Sequence, residues 1–181
     1  MSDSSMADIA IAEPQADPEA LLYAGRNVLE EEGIFLDERR WDEWVNLYAH
    51  DCEYWVPAWT AAGRLAESPD TEVSHIYYSD RNALRDRIVR FTSGTSPASR
   101  PLPRTAHMLS GVRLIDHKPG EMRLRATWAT HVYFPYRRES HAFFGTLEAT
   151  LVRQGGRWLI RRKKVVLLND YIPTMLDIYC L

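Results

Sequence analysis

The stretch "EMRLRATWATHVYFPYR", Glu121 to Arg137, alternates over its whole length. Met122, Leu124, Ala126, Trp128, Thr130, Val132, Phe134 and Tyr136 share one side, and Arg123, Arg125, Thr127, Ala129, His131 and Tyr133 share the other. A period of two sustained that far predicts a long strand with one wet face and one face against a core. Such a strand needs neighbours and a cover, and the flanking sequence offers both.

Upstream, "RTAHMLSGVRLID" reads as a strand closed by the turn signal "HKPG". Downstream, "SHAFFGTLEATLVRQ" and "WLIRRKKVVLLND" read as two more, joined at "GGR". The doublet Gly155–Gly156 is a hairpin turn and not a phosphate loop, since no helix follows it. The cover comes from the N-terminal third. In "ADPEALL", Asp17 caps a helix and Pro18 suits its first position. Leu21, Leu22, Val28, Leu29, Phe35 and Leu36 then fall as pairs seven apart, on one helical face.

"ERRWDEWVNLY" places Trp41, Trp44, Val45 and Tyr48 at helical spacing and predicts a second helix. Opposite those residues, Asp37, Glu38, Asp42 and Glu43 read as a solvated face, and His50 and Asp51 as the corner leading to a short strand, "CEYWVPAW". Pro57 suits an edge or bulge of that strand. "EVSHIYY" is a further short strand, and "SDRNALRDRIVRF" a third helix with Leu84, Ile88 and Phe91 inward. Segments 60–70 and "TSGTSPASRPLPR" are loops. Helices first and a meander of long strands afterwards is an α+β pattern. It predicts a strongly curved antiparallel sheet with the N-terminal helices packed on its concave face, a cone that buries the Trp128 side. Residues 1–16 are polar and acidic and read as a mobile tail, and 17–181 as a single domain.

Composition narrows the function. A net charge of −3 over 181 residues gives no concentrated cationic face for nucleic acid. No apolar run reaches the ~20 residues of a membrane span. The N-terminus has acids where a signal peptide has bases, so a cytoplasmic protein is expected. Cys52 and Cys180 are the only cysteines, too few for a cysteine-ligated zinc or iron–sulfur centre, and their spacing does not argue for a disulfide.

None of the six histidines is paired at metal-binding helical spacing. His107 and His131 fall in adjacent strands. They are either raw material for acid–base chemistry in a pocket or hydrogen-bonded residues of a half-buried sheet. The run "RRKK", Arg161 to Lys164, alternates on a strand, so at most two charges point each way. It suits a solvated face or an acidic protein partner.

Several blocks, in order, carry a family resemblance: "FLDERRWDEWVNLYAHDCEYWVPAW", "SHIYYSDRNALRDRIVRF", "PRTAHMLSGVRL", "FFGTLEATLVR" and "RKKVVLLNDYIPTMLDIY". Together they resemble the small (beta) subunits of aromatic-ring-hydroxylating dioxygenases, nearest the benzoate, anthranilate and halobenzoate group. The resemblance spans about Leu21 to Leu181 and implies the cone fold shared with nuclear-transport-factor-2-like and scytalone-dehydratase-like proteins.

It also implies a division of labour. The large subunit would hold a Rieske 2Fe–2S cluster and a mononuclear iron, and a separate reductase would deliver electrons from NADH. The small subunit would organise an assembly of three large and three small subunits, with contacts between the small ones, in the catabolism of aromatic compounds. No cofactor, metal or catalytic residue is expected in this chain. Trp59, Arg161, Arg162, Asn169, Asp170 and Tyr171 are the interface candidates, because interfaces enrich aromatic and Arg groups. Two alternatives use the same fold differently. One is a stand-alone dehydratase or isomerase with His107, and His131 as a possible second, in a pocket; the other is a ligand-binding scaffold. Dehydratases carry a carboxylate on the inner face of the first helix, and Phe35 and Leu36 occupy that stripe here.

Overall fold

The computed structural model describes residues 17–93, 101–169, 171–172 and 176–181. The expected tail (1–16), part of the "TSGTSPASRPLPR" loop, and Asp170 fall outside the described residues. Helix α1 runs Pro18–Asp37, capped by Asp17, whose carboxylate accepts from the Glu19 N–H at 3.0 Å. Its buried stripe is Leu21, Gly25, Val28, Leu29, Glu32 and Leu36. The helix stops where Arg39 turns left-handed at φ 58°, and that side chain then donates to the Leu102 and Pro103 carbonyls. A short helix α2, Trp41–Val45, follows.

Strand β1 is Tyr48–Pro57, β2 Ser74–Tyr78, β3 Arg104–Lys118, β4 Glu121–Phe134, β5 Glu139–Gln154 and β6 Arg157–Leu167. Helix α3, Arg81–Thr92, lies between β2 and β3, capped by Asp80 and burying Leu84, Ile88 and Phe91 as expected. The strands form one sheet in the order β2-β1-β6-β5-β4-β3. Every neighbouring pair is antiparallel except β1 and β6, which run parallel, so the sheet is mixed. The expected all-antiparallel sheet is corrected on this point. Hydrophobic periodicity identifies a strand but not its partner, and β1 returns to β6 from across the fold.

The β4 alternation holds: Met122, Leu124, Ala126, Trp128, Thr130 and Val132 are all buried, on the side that α1 covers. Bulges interrupt the β3–β4 and β5–β6 ladders and bend the sheet. At the first of these Gly111 takes φ 61°, a left-handed conformation that few other residues adopt.

One boundary differs from expectation. Tyr48, His50 and Asp51 belong to β1, not to a helix and its corner. Trp44, Val45 and Tyr48 are buried in either conformation, so their spacing imitates a helix. Backbone pairing decides, because the Ile160 N–H donates to the Leu47 carbonyl and starts the ladder there. The Trp44 and Tyr48 rings pack at 5.0 Å, and Trp41 and Tyr179 both meet Phe91 edge-on.

Candidate functional site

Two hydrogen-bonded pairs, each built on a carboxylate, lie where α1 crosses the sheet. The inner pair joins Glu32 of α1 to Lys163 of β6. Lys163 Nζ donates to both carboxylate oxygens at 2.7 and 2.6 Å, and the Tyr48 hydroxyl donates a third hydrogen bond to Glu32. Both members are 3% exposed, and the ammonium lies 5.3 Å from the centre of the Tyr54 ring. Burial, followed by the negative Glu32, pushes the Tyr48 hydroxyl well above its ordinary pKa, so Tyr48 stays a donor.

The outer pair joins the last residue of α1 to β3. Asp37 Oδ1 accepts from Thr105 Oγ1 at 2.7 Å and lies 2.6 Å from His107 Nδ1, while Oδ2 accepts from the His107 backbone N–H at 2.9 Å. Burial works to raise the Asp37 pKa, but the His107 side-chain and backbone hydrogen bonds, with Thr105, outweigh it and hold the carboxyl below its ordinary value. The helix reaches β3 this closely because residue 33 is glycine: a Cβ there would lie 3.0 Å from His107 Cβ. Between helix and sheet is a cavity of about 260 Å³, lined among others by Leu109, Trp128, Leu147 and Val165, with both pairs in its wall.

The structure separates the two candidate histidines. His107 stands opposite Thr130 in the β3–β4 register and faces the cavity, whereas His131 stands opposite Ala106 and is exposed on the other face. Sheet register places neighbouring residues on opposite faces, so the expected alternative pairing of His107 with His131 is not formed. The carboxylate that meets His107 is Asp37, which the spacing of acids had put on a solvated face.

Two further residues escaped the sequence. Glu32 is three residues after Leu29 and four before Leu36, inside the apolar stripe, and that position was the available signal. The stripe therefore does hold a carboxylate, three residues before Phe35. Lys163 was hidden in "RRKK" by a bulge: Ile160 pairs with Leu151 and Arg162 with Thr150, leaving Arg161 as the extra residue. Arg161, Arg162 and Lys164 all turn outward and Lys163 alone turns in, so the limit of two charges per face is corrected.

On the outer face Arg161 pairs with Asp51 at 2.9 Å, Arg162 with Glu53 at 3.0 Å, and Lys164 covers the Trp55 ring at 4.6 Å. A hollow of about 730 Å³ there is lined by these groups with Arg123 and Glu148. Trp59 is half-buried and its Nε1 donates to the Leu167 carbonyl at 2.6 Å. Asn169 accepts from the Phe144 N–H and donates to the Ala142 carbonyl, and Tyr171 is exposed. Cys52 and Cys180 are free, buried thiols, each pushed up to about 12, mainly by burial. Among the described residues no group of three or more His, Cys, Asp or Glu could hold a metal ion, and no helix is long and apolar enough to cross a membrane.

Residues 31–174 match the family described as "Ring hydroxylating beta subunit". Toluate 1,2-dioxygenase subunit beta of Pseudomonas putida is 40% identical over 156 residues, covering 86% of this chain and 95% of the relative. The crystal structure of the beta subunit of benzoate 1,2-dioxygenase from Burkholderia mallei superimposes with a TM-score of 0.72 at 28% identity, covering 93% of this chain and 100% of that one. A putative scytalone dehydratase from Novosphingobium aromaticivorans superimposes with a TM-score of 0.66 at 17% identity, covering 88% and 94%; that likeness concerns the fold alone.

Proposed function

Since the chain belongs to the ring-hydroxylating beta-subunit family, we propose that it is the non-catalytic small subunit of a dioxygenase acting on a benzoate-like aromatic carboxylate. The observation that carries this reading is the likeness to toluate and benzoate dioxygenase beta subunits over nearly the whole length of each. The dehydratase alternative has the shared fold and the Asp37–His107 pair at the cavity in its favour, but its likeness is 17% identity against 40% for the toluate relative.

Iron chemistry is assigned to a large partner subunit. A Rieske cluster takes two Cys and two His donors. Here Cys52 lies on β1 and Cys180 in the 3₁₀ turn Ile178–Cys180, each a single thiol held protonated by apolar surroundings. That donor set does not suit the cluster. The cluster, the mononuclear iron and the electrons from NADH through a reductase therefore belong to other chains of the system. Unpaired thiols also fit a cytoplasmic location.

The small subunit's contribution is then architectural, in an assembly of three large and three small subunits. The outer face, with Arg161 and Arg162, and the β5–β6 end, with Trp59, Asn169 and Tyr171, are the proposed contact surfaces. The ion pairs Arg161–Asp51 and Arg162–Glu53 restrict those arginines, which lowers the entropy lost on docking.

Co-expression with a large subunit tests this. The expected result is an iron-containing complex with the mass of three plus three that oxidises benzoate when supplied with NADH and a reductase, while the small chain alone is inert. A small chain that purifies by itself and turns over a hydroxylated substrate without iron would overturn it.

A further inference from the structure

The cavity beneath α1 has a chemistry that the architectural role does not use. Two polar atoms in its wall lack a hydrogen-bond partner: His107 Nε2 and Thr130 Oγ1. Thr130 is fully buried and the His107 side chain is only 11% exposed. They are direct cross-strand neighbours on the same face, which puts their Cβ atoms about 5 Å apart. Buried polar groups are ordinarily satisfied, and two adjacent exceptions facing one cavity point to something that satisfies both.

We propose that this cavity is a binding site for a neutral, hydroxylated single-ring aromatic molecule, its hydroxyl seated between His107 Nε2 and Thr130 Oγ1. Asp37 fixes the polarity of the histidine. With its carboxylate against Nδ1, the ring hydrogen on that nitrogen is engaged, and Nε2 is left as an acceptor in the neutral ring or a donor in the imidazolium. A hydroxyl both donates and accepts, so it serves either state and meets Thr130 at the same time. The apolar and aromatic part of the wall is Trp128, Leu109, Leu147 and Val165. An apolar cavity of roughly 150 Å³ holds benzene, so about 260 Å³ has room for one ring and a substituent.

Charge selects against a carboxylate. Lys163 is committed to Glu32, and the remaining ionisable groups of the wall are Glu30, Asp37 and His107. While the acids are ionised, no protonation state of His107 makes that set positive. An aromatic acid would enter without a counter-ion, whereas its phenolic counterpart would not need one. The mouth runs past Ile34, about half exposed.

The test uses the full chain in the assembly in which it purifies, with 4-fluorophenol followed by fluorine NMR and 4-iodophenol located by anomalous scattering. The expected results are an iodine peak between α1 and β4 and saturable 4-fluorophenol binding. Thr130→Val should weaken that binding about tenfold and Thr130→Ser by less than about twofold. The Val variant should melt no lower than the parent, because it removes an unpartnered hydroxyl without changing volume much. A hydroxyl with a purely structural role would instead lower the melting temperature and leave the affinity alone. Equal affinity in the parent and Thr130→Val, or no iodine peak in the cavity, overturns the proposal. Binding of 4-fluorobenzoate as tight as 4-fluorophenol, and equally dependent on Thr130, overturns the charge argument and with it the ligand class. Assembly with a large subunit is read in the same samples by mass, so a failure of the architectural reading is seen separately.

Discussion

The two carboxylate pairs under α1 use similar ingredients and end in different states. Glu32 and Lys163 sit deep, Lys163 donating two hydrogen bonds to Glu32 and Tyr48 a further one to the same carboxylate. Asp37 and His107 sit at the mouth, and the imidazole keeps one nitrogen free. The inner pair has little capacity left for a ligand and fixes the helix to the sheet. The outer pair is anchored on one side and open on the other. Unfilled valence, more than burial or charge, separates a fastening from a site.

The largest expected effect breaks the inner fastening. Lys163→Met leaves Glu32 charged and buried without its counter-ion and should cost about 3–5 kcal/mol in urea unfolding. The double change Glu32→Leu with Lys163→Met should recover most of that loss. If the single change costs under about 1 kcal/mol, the inner pair is not the fastening described.

Tyr48→Phe removes one donor to the same carboxylate and keeps the ion pair, so about 1.5–2 kcal/mol is expected by the same measurement. At the mouth, Asp37→Asn should cost about 1 kcal/mol at pH 7. The sign of its pH dependence follows from the lowered pKa. Stability from Asp37 is fully present above the ordinary carboxyl value and is lost as pH falls through the lower folded value. The gap between parent and Asp37→Asn should therefore close on acidification below the ordinary carboxyl range, and a gap that widens there refutes the assignment. Smallest of all, Arg161→Ala removes a surface pair and should change stability by less than about 0.5 kcal/mol. Any larger loss of assembly in that variant is then a contact effect, measurable as a shift in complex mass with dilution.

Most elements were legible because they obey one local rule each. The β4 alternation, the α1 cap and the inward Leu84, Ile88 and Phe91 all follow from spacing within a single segment. The site was legible only at His107. Asp37 is at a helix end, where an acid is ordinarily wet, and only the docking of β3 makes it otherwise. Lys163 needed a bulge that no residue type in "RRKK" announces. Tyr48 fits a helix by spacing and a strand by pairing, and pairing is a long-range fact. Glu32 alone could have been found, as an acid surrounded by the apolar residues of its own helix.

The parallel seam between β1 and β6 has a kinetic consequence. Glu53 meets Arg162 across a separation of 109 residues, whereas β3 to β6 are joined by short turns. Closing the seam loses the entropy of a loop longer than half the chain, so β3–β6 can pair before β1 arrives. Until it does, β6 presents an unpaired edge from Ile160 to Lys164, the kind of edge through which chains associate. Pulse-labelled amide exchange should find β1 protected after β4 and β5. Its refolding yield should fall with concentration more steeply than that of a sheet whose strands all pair with their neighbours in sequence.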